Sequence, residues 1–319
     1  MAHRALGPAT LEVVQAVSAV ASGPMLVACS GGPDSLALAA AAGIVGTRSG
    51  LSVRAAIVDH RLQTGSDAVA AAVAHTLAGL GLTSIVLPVS VDAAGQGLEA
   101  GARQARYVAL AAAAAPGEVV LLGHTLDDQA ETVLLGLARG SGIRSLAGMP
   151  VRRDGFVRPL LGLRAATTRA ACTELGLQPW LDPHNTEPRF SRTRVRERVL
   201  PLLEAELGPG VALALARSAE LARADADLLD GLAAAELAAN GGRESGGREL
   251  DCAWLSGLPR ALLTRVLRDW LRSQGAVDLS AAGIAAVGAL VADWHGQLWV
   301  EVPGVRVVRV DGRLGVRRG

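Results

Sequence analysis

Ser30-Gly31-Gly32-Pro33-Asp34-Ser35 is the densest chemistry-bearing string in the chain. Two glycines let a backbone approach an anion closely, Ser30 and Ser35 add hydroxyl donors, and a helix opening at this string would aim its N-terminal dipole at the same point. That combination suits a phosphate chain. A second string, GHTLDDQAETVLLGLARGSGIR from Gly123 to Arg144, puts Asp127, Asp128 and Glu131 on the first turns of an expected helix. Carboxylates at a helix N-terminus are favoured by the dipole alone. Three of them beside a polyphosphate would repel it unless a cation intervened, so the two strings together imply Mg²⁺ or an ammonium substrate. His124, just before the acids, is placed to orient a nucleotide.

Three weaker patterns surround these two. Val58-Asp59-His60 ends an expected strand, where an open α/β sheet presents ligand-binding residues. In LEAGARQARYVAL, Glu99, Arg103 and Arg106 share one helix face, with Tyr107 beside them. An i,i+4 ion pair explains Glu99 and Arg103 as well as phosphate or RNA contact by the arginines does. Arg189 to Arg198 holds five arginines against the single acid Glu197. By itself such a run reads as a solvated helix face. Following the acid string, and with Arg152, Arg153, Arg158 and Arg164 upstream, Arg192, Arg194 and Arg196 read better as a stripe for RNA phosphates.

Positioning these residues needs alternating strands and helices. Short apolar strands are expected at Pro24–Cys29, Ser52–Val58, Ser84–Val89 and Glu118–Leu122, with helices at 34–46, 66–80, 98–114 and 126–138. The strands lack polar–apolar alternation, as in a parallel sheet covered on both faces, so the fold class is α/β, doubly wound and mostly parallel. From 142 to 185 the pattern is irregular and broken by prolines. Helices are expected over 192–207 and from Val211 to Ala239, and the Gly-rich stretch Asn240 to Arg248 reads as a linker. Beyond it, helices at 258–274 and 280–291 precede two or three strands between Gln297 and Arg317, turned at Pro303-Gly304 and Asp311-Gly312. The expected organisation is a catalytic domain over 1–208, a helical connector over 209–240 and a small α+β domain over 241–319.

Composition narrows the chemistry. All 31 basic residues are arginine, and the absence of lysine removes the Walker A loop and lysine Schiff-base or lysyl-adenylate chemistry. Cys29, Cys172 and Cys252 are far apart, against a disulfide framework or a zinc ribbon. A net charge of +1 confines any nucleic-acid surface to a local patch. The longest apolar runs, Leu36 to Val45 and Ala281 to Ala292, fall short of the roughly 20 residues of a membrane span. The start, MAHRALGPATLEVV, has no secretory h-region, so a cytoplasmic protein is expected. Aromatics are only 3%, and Trp254, Trp270, Trp294 and Trp299 read as core anchors of the C-terminal third.

SGGPDS resembles the pyrophosphate loop (PP-loop) of the N-type ATP pyrophosphatases, which have an adenine-nucleotide α-hydrolase-like fold and cleave ATP to AMP and pyrophosphate. Within that superfamily the chain is similar to the tRNA(Ile)-lysidine synthetases. VDHRLQ resembles their VDHxLR, EAGARQARY their ExxARxxRY, and GHTLDDQAET their GHHxxDQAET, with Thr125 where the family has a second histidine. RPLL at Arg158–Leu161, DPHN at Asp182–Asn185 and RTRVR at Arg192–Arg196 match further elements, Thr193 replacing the usual Asn. The likeness covers about residues 24–205.

It implies ATP-dependent ligation of free L-lysine to C2 of the wobble cytidine in the CAU anticodon of tRNA(Ile), through an O2-adenylyl intermediate. It implies ATP binding by Ser30, Gly31, Gly32, Pro33, Asp34, Ser35, Val58 and His60, and catalysis by Asp34, His124, Asp127, Asp128 and Glu131. It further implies Mg²⁺ on Asp34 and Asp127, tRNA contact by Arg103, Arg106, Arg192, Arg194 and Arg196, tRNA contact by the C-terminal domain, and a homodimer. The competing readings are a PP-loop tRNA 2-thiolase, which needs a sulfur path, and a regulatory module that holds ATP without turning it over.

Overall fold

The computed structural model describes residues 6–62, 65–91, 98–140, 142–181, 190–241 and 247–317, with 98–99 described by backbone alone. The chain divides into two compact units, Met1–Glu220 and Leu221–Gly319.

The first unit is built on a six-stranded sheet of order β3-β2-β1-β4-β6-β5. Its strands are β1 (Met25–Ala28), β2 (Val53–Asp59), β3 (Thr83–Pro88), β4 (Val119–Leu121), β5 (Arg152–Arg153) and β6 (Phe156–Val157). All pairings are parallel except β5 with β6. Side chains of a strand alternate between faces, and β1 divides accordingly. Met25 and Val27 enter one core with α1 (Pro8–Ser18), α2 (Pro33–Ser49), α3 (Ser66–Gly79) and α7 (Ala165–Glu174). Leu26 enters the other, with Ala56, Val120, Phe156 and Leu110 of α4 (Leu98–Ala113). The sheet is therefore doubly wound, as expected. The edge strand β3 departs from full cover, with Ile85 43% and Val86 40% exposed, because it pairs on one side only.

α2 begins with Pro33 in its first turn, where the missing N–H costs nothing, and ends at Gly50 in the left-handed conformation. Between them every residue from Ser35 to Ala42 is buried, so this Ala-rich helix acts as an inner layer. Two helices of the first unit lie outside the expected elements. α1 lies before the expected first strand, and α7 falls in the stretch that looked irregular. α1 buries Val13, Val14 and Val17 on one face, whereas α7 is small and polar, and the two stabilise each other: Glu174 at the end of α7 accepts bonds from Ala9 N–H (3.1 Å), Thr10 N–H (2.8 Å) and the Thr10 hydroxyl (2.6 Å). A side chain 165 residues away thus caps a helix whose own N-cap, Gly7, cannot. β5 and β6, two residues each, are too short to show alternation.

α5 (Leu126–Ala138) and the short α6 (Ile143–Leu146) follow β4. The helix expected over 192–207 runs as α8 (Ser191–Arg194), a π turn (Val195–Val199) and α9 (Leu200–Leu207). α10 covers Val211–Asn240, and the Gly-rich linker after it lies mostly outside the described residues.

The second unit holds β7 (Glu249–Asp251), α11 (Cys252–Ser256), α12 (Arg260–Ser273), α13 (Ala281–Ala292), β8 (Val300–Val302), β9 (Val305–Val310) and β10 (Arg313–Arg317). Its strands form an antiparallel sheet of order β7-β10-β9-β8, with turns at Gly304 (φ +92°) and Gly312 (φ +74°). Trp270 is the central core anchor, as expected, and Trp254 packs at the edge of that core. Trp294 and Trp299 are not core residues. They are 47% and 49% exposed, with the Arg309 and Arg306 guanidinium groups over their rings, because both lie outside the packed elements. Among the described residues no single helix is long and apolar enough to cross a membrane.

Candidate active site

The sheet order sets four chain segments side by side at the carboxyl edge. β2 delivers Asp59-His60, β1 the Ser30–Ser35 loop, β4 the Gly123–Thr125 turn into α5, and β6 Arg158. Strand order reverses between β1 and β4, the crevice where open α/β sheets bind ligands. The two strongest sequence strings leave those two strands.

Close backbone approach shapes the loop. Gly31 has φ +86°, and a Cβ there would lie 2.5 Å from Cγ2 of Val73, so only glycine fits. Its carbonyl accepts the Trp180 N–H at 2.9 Å. The buried Ser35 hydroxyl donates to Gly32 O (3.0 Å) and accepts the Ser30 N–H (3.1 Å). No side chain caps α2, which leaves the helix N-terminus directed at the loop for a ligand. Across the crevice, a Cβ on Gly123 would come within 3.2 Å of the Asp34 carbonyl and the Ser35 nitrogen. The turn after β4 therefore rests directly on the loop after β1.

The four carboxylates lie in different settings. Asp34 accepts a bond from the Thr168 hydroxyl. Burial raises its pKa to about 6, with the Asp128 charge adding to the rise and Thr168, Arg169 and Arg196 opposing it. Asp127 accepts the Ala165 N–H at 2.7 Å and pairs with Arg164 at 2.9 Å, so it caps α7. Asp128 closes a capping box with Thr125 (2.8 Å to its N–H) and pairs with Arg196 at 3.1 Å. Glu131 is fully buried and receives the Arg196 fork, Nε at 2.6 Å and Nη2 at 3.0 Å, with Arg192 Nε at 3.3 Å. Burial pushes the Glu131 carboxyl up, and Arg196 draws it back. Asp34, Asp127 and Asp128 are thus brought together through the first turn of α7 and the Asp128 field, whereas Glu131 faces the arginines of the helix that follows.

The expected arginine stripe divides in consequence. Arg192 and Arg196 turn inward to Thr132, Asp128 and Glu131, and Arg194 stays exposed. The side chain of Glu99, Arg189 and the stretch Asp182–Asn185 lie outside the described residues.

Opposite the acids is a basic cluster. The Tyr107 phenol accepts bonds from Arg158 (3.0 Å) and Arg103 (3.3 Å), and its ring lies 4.8 Å from Phe156 and under the guanidinium groups of Arg103 and Arg106. His60 and His124 are both lowered, chiefly by burial and then by the Arg106 charge. Val58 is half-buried just before them.

Cys29 and Cys172, distant in sequence, both touch the loop: Cys29 Sγ lies 3.6 Å from Ser35 Oγ, and Cys172 donates to Pro33 O at 3.3 Å. Burial raises both, Cys172 to about 11, so they are thiols and not nucleophiles. Among the described residues no three metal-ligating groups converge. Mg²⁺ needs no such cage, since it commonly takes one or two carboxylates with substrate phosphates. Asp34 fits that role, beside the loop and with an elevated pKa that a cation would relieve. Asp127 fits only on releasing Arg164.

Sequence reasoning passed over several residues the site uses. Thr168 belongs to α7, which had no visible period, and Arg164 just before it was read as part of a basic patch, with no partner assigned. Gln129 is in the acid string, yet its amide bonds both the Met149 carbonyl and N–H, making it a scaffold residue. Tyr107 and Arg158 were visible in their motifs but had no assigned partner.

Comparison with known proteins adds to this geometry. Residues 9–203 match the PP-loop domain family, and residues 250–315 match the TilS substrate binding domain. The chain is 51% identical to the tRNA(Ile)-lysidine synthase of Leifsonia xyli over 91% of this chain and 88% of that one. It is 50% identical to that of Rhodococcus opacus over 98% and 94%. Among solved structures, the U34-tRNA thiolase NcsA of Methanococcus maripaludis, with its [4Fe-4S] cluster, aligns with TM-score 0.55 at 17% identity. That alignment covers 67% of this chain and 78% of the thiolase, a likeness of fold.

Proposed function

Because the chain belongs to the tRNA(Ile)-lysidine synthase family, we propose that the crevice between β1 and β4 is where ATP, cytidine and lysine meet. The protein is a ligase that uses ATP to form lysidine in tRNA(Ile). The observation that carries the site assignment is the contact of Gly123 with the Asp34–Ser35 backbone, which locks the phosphate loop against the acid-bearing turn.

The cytidine C2 oxygen is a poor leaving group. Its attack on the ATP α-phosphorus forms an O2-adenylyl bond and expels pyrophosphate. The ε-amine of free lysine then attacks C2, loses a proton and expels AMP. Loop amides, the Ser30 hydroxyl and the α2 N-terminus grip the β- and γ-phosphates, with the Ser35 hydroxyl holding the loop in shape through Gly32 and Ser30, and Val58 and His60 beside the nucleotide. Asp34, together with substrate phosphates, would hold Mg²⁺, and Asp127 would add to it once free of Arg164; when bound, the ion would supply charge neutralisation for the leaving pyrophosphate. Asp128, at the centre of the acid field, faces the lysine ammonium, and Glu131 fixes Arg196 and Arg192. His124, neutral at pH 7, orients the cytidine. Arg103, Arg106, Arg192, Arg194 and Arg196 serve tRNA phosphates, those turned inward by holding the wall of the crevice.

We read residues 1–208 as the catalytic part, 209–240 as the connector and 241–319 as a further tRNA-contacting part, in a cytoplasmic homodimer. Two measurements test the assignment. Mass spectrometry of tRNA incubated with ATP, Mg²⁺ and isotope-labelled lysine is expected to show a labelled cytidine adduct. Asp34→Ala is expected to abolish tRNA-dependent pyrophosphate release, and unchanged release would refute the site.

A further inference from the structure

The Gly31–Gly32 peptide is the one bond of the phosphate loop with glycine on both sides. Glycine tolerates positive and negative φ alike, so local sterics select neither orientation of that peptide. Turning it over would carry φ of Gly32 from −70° into the positive range, which a side chain resists and glycine accepts. Orientation nevertheless decides what the loop shows an anion. The peptide is trans, so its C=O and N–H point in opposite directions. One orientation presents the Gly32 N–H to a phosphate, and the other presents the Gly31 carbonyl oxygen, which repels it.

A residue far along the chain holds that carbonyl. The Trp180 N–H donates to Gly31 O at 2.9 Å, and Trp180 Cβ lies 3.7 Å from where a Gly31 Cβ would stand. Among the described residues nothing accepts the Gly32 N–H, which faces away from Trp180. Two further donors reach the loop from the same stretch of chain, the Thr168 hydroxyl to Asp34 and the Cys172 thiol to Pro33 O. Those two grip residues already fixed, Pro33 by its ring and Asp34 by its helix. Only the Trp180 bond acts where the backbone is free to turn.

We infer that Trp180 is a positioning residue of the phosphate loop: its backbone N–H holds the Gly31 carbonyl outward and so aims the Gly32 N–H at the pyrophosphate end of the triphosphate. Trp180 acts through Gly32 and touches no substrate. The inference rests on the reading of this loop as the site of the β- and γ-phosphates.

The direct test places the α-hydroxy analogue of tryptophan at position 180 of the full-length protein. The resulting ester deletes the N–H and keeps the ring. Affinities for ATP, inorganic pyrophosphate and AMP are measured by calorimetric titration. The ester is expected to lower ATP and pyrophosphate affinity about tenfold, the usual worth of one bond to a charged group, and to leave AMP within about twofold. Trp180→Ala keeps the donor and is expected to hold the wild-type ratio of ATP to AMP affinity within about threefold. An equal loss for ATP and AMP, or no loss, would overturn the inference. A ratio that falls as far with Trp180→Ala as with the ester would move the effect to the side chain and overturn it too. Should the ester protein not fold, hydrogen exchange of the Trp180 amide in the wild type decides. Coupling is reciprocal, so pyrophosphate should slow that exchange, and unchanged exchange would refute the role. A wild type that binds AMP as tightly as ATP and does not bind pyrophosphate would refute the phosphate reading of the loop itself. Pyrophosphate binding that ignores the ester would refute the part played by Trp180 alone.

Discussion

Asp34 has the pKa in this site that most directly governs behaviour. Its folded value, about 6, lies above the ordinary carboxylate value because burial disfavours the charge. A raised folded pKa contributes stability that is present below the unfolded value and lost as pH rises through the folded one. The ligand-free protein should therefore weaken between about pH 4 and pH 6, by up to about 2–3 kcal/mol. Asp34→Asn should recover part of that loss above pH 6, checked by denaturant titration across pH. The same residue must be ionised to work with a cation, so the affinity of the free protein for ATP with Mg²⁺ should fall as pH drops below about 6, checked by calorimetric titration across pH. Asp34 was legible from its place in SGGPDS. Its partner Thr168, 134 residues away, was not.

Elements decide what the acids can do. Glu131 looked like one of three equivalent carboxylates on α5. Helical geometry carries it inward, where Arg196 and Arg192 meet it. Glu131→Gln would leave Arg192 short of charge and Arg196 with Asp128 alone, and because both guanidinium groups are partly open to solvent it should cost about 1–3 kcal/mol, read as a fall in denaturation midpoint. A change without charge should occur at Gln129. Gln129→Leu orphans the Met149 N–H and carbonyl at about 1–3 kcal/mol each, without changing any charge in the crevice. The loop contact is steric. Gly123→Ala should push the turn after β4 off the Asp34–Ser35 backbone and weaken ATP binding more than it lowers stability, checked by calorimetric titration beside thermal melts. That α5 and the loop belong together was readable from motif order, whereas α7 was not readable, because it carries no apolar stripe; α1 has one, at Val13, Val14 and Val17, but no motif marks its place.

At the scale of the whole molecule each of the two compact units has its own apolar packing. One lies on both faces of the parallel sheet, and the other gathers around Trp270 between the antiparallel sheet and its helices. Trp270→Ala should remove about 3–5 kcal/mol from the second core. Scanning calorimetry should show one transition lowered while ATP binding, which belongs to the first unit, persists. The exposed Trp294 and Trp299 should respond differently: replacing either with Ala should leave both transitions near their original temperatures. Their sequence context did not separate them from Trp270, since burial depends on which strands pair around a residue.

Local order along the chain was enough to determine the phosphate loop, the acid-bearing helix start and the doubly wound alternation. Each is a short-range pattern of turn residues, helix-terminus chemistry and apolar runs. The side chains that hold those groups were settled by tertiary structure alone. Thr168 on Asp34, Arg164 on Asp127, Arg196 on Glu131 and Arg158 on Tyr107 join residues 37 to 134 positions apart. Such pairings follow from strand order and helix crossing, which a linear pattern does not encode, and they convert a row of ionisable residues into an acid field facing a basic pocket.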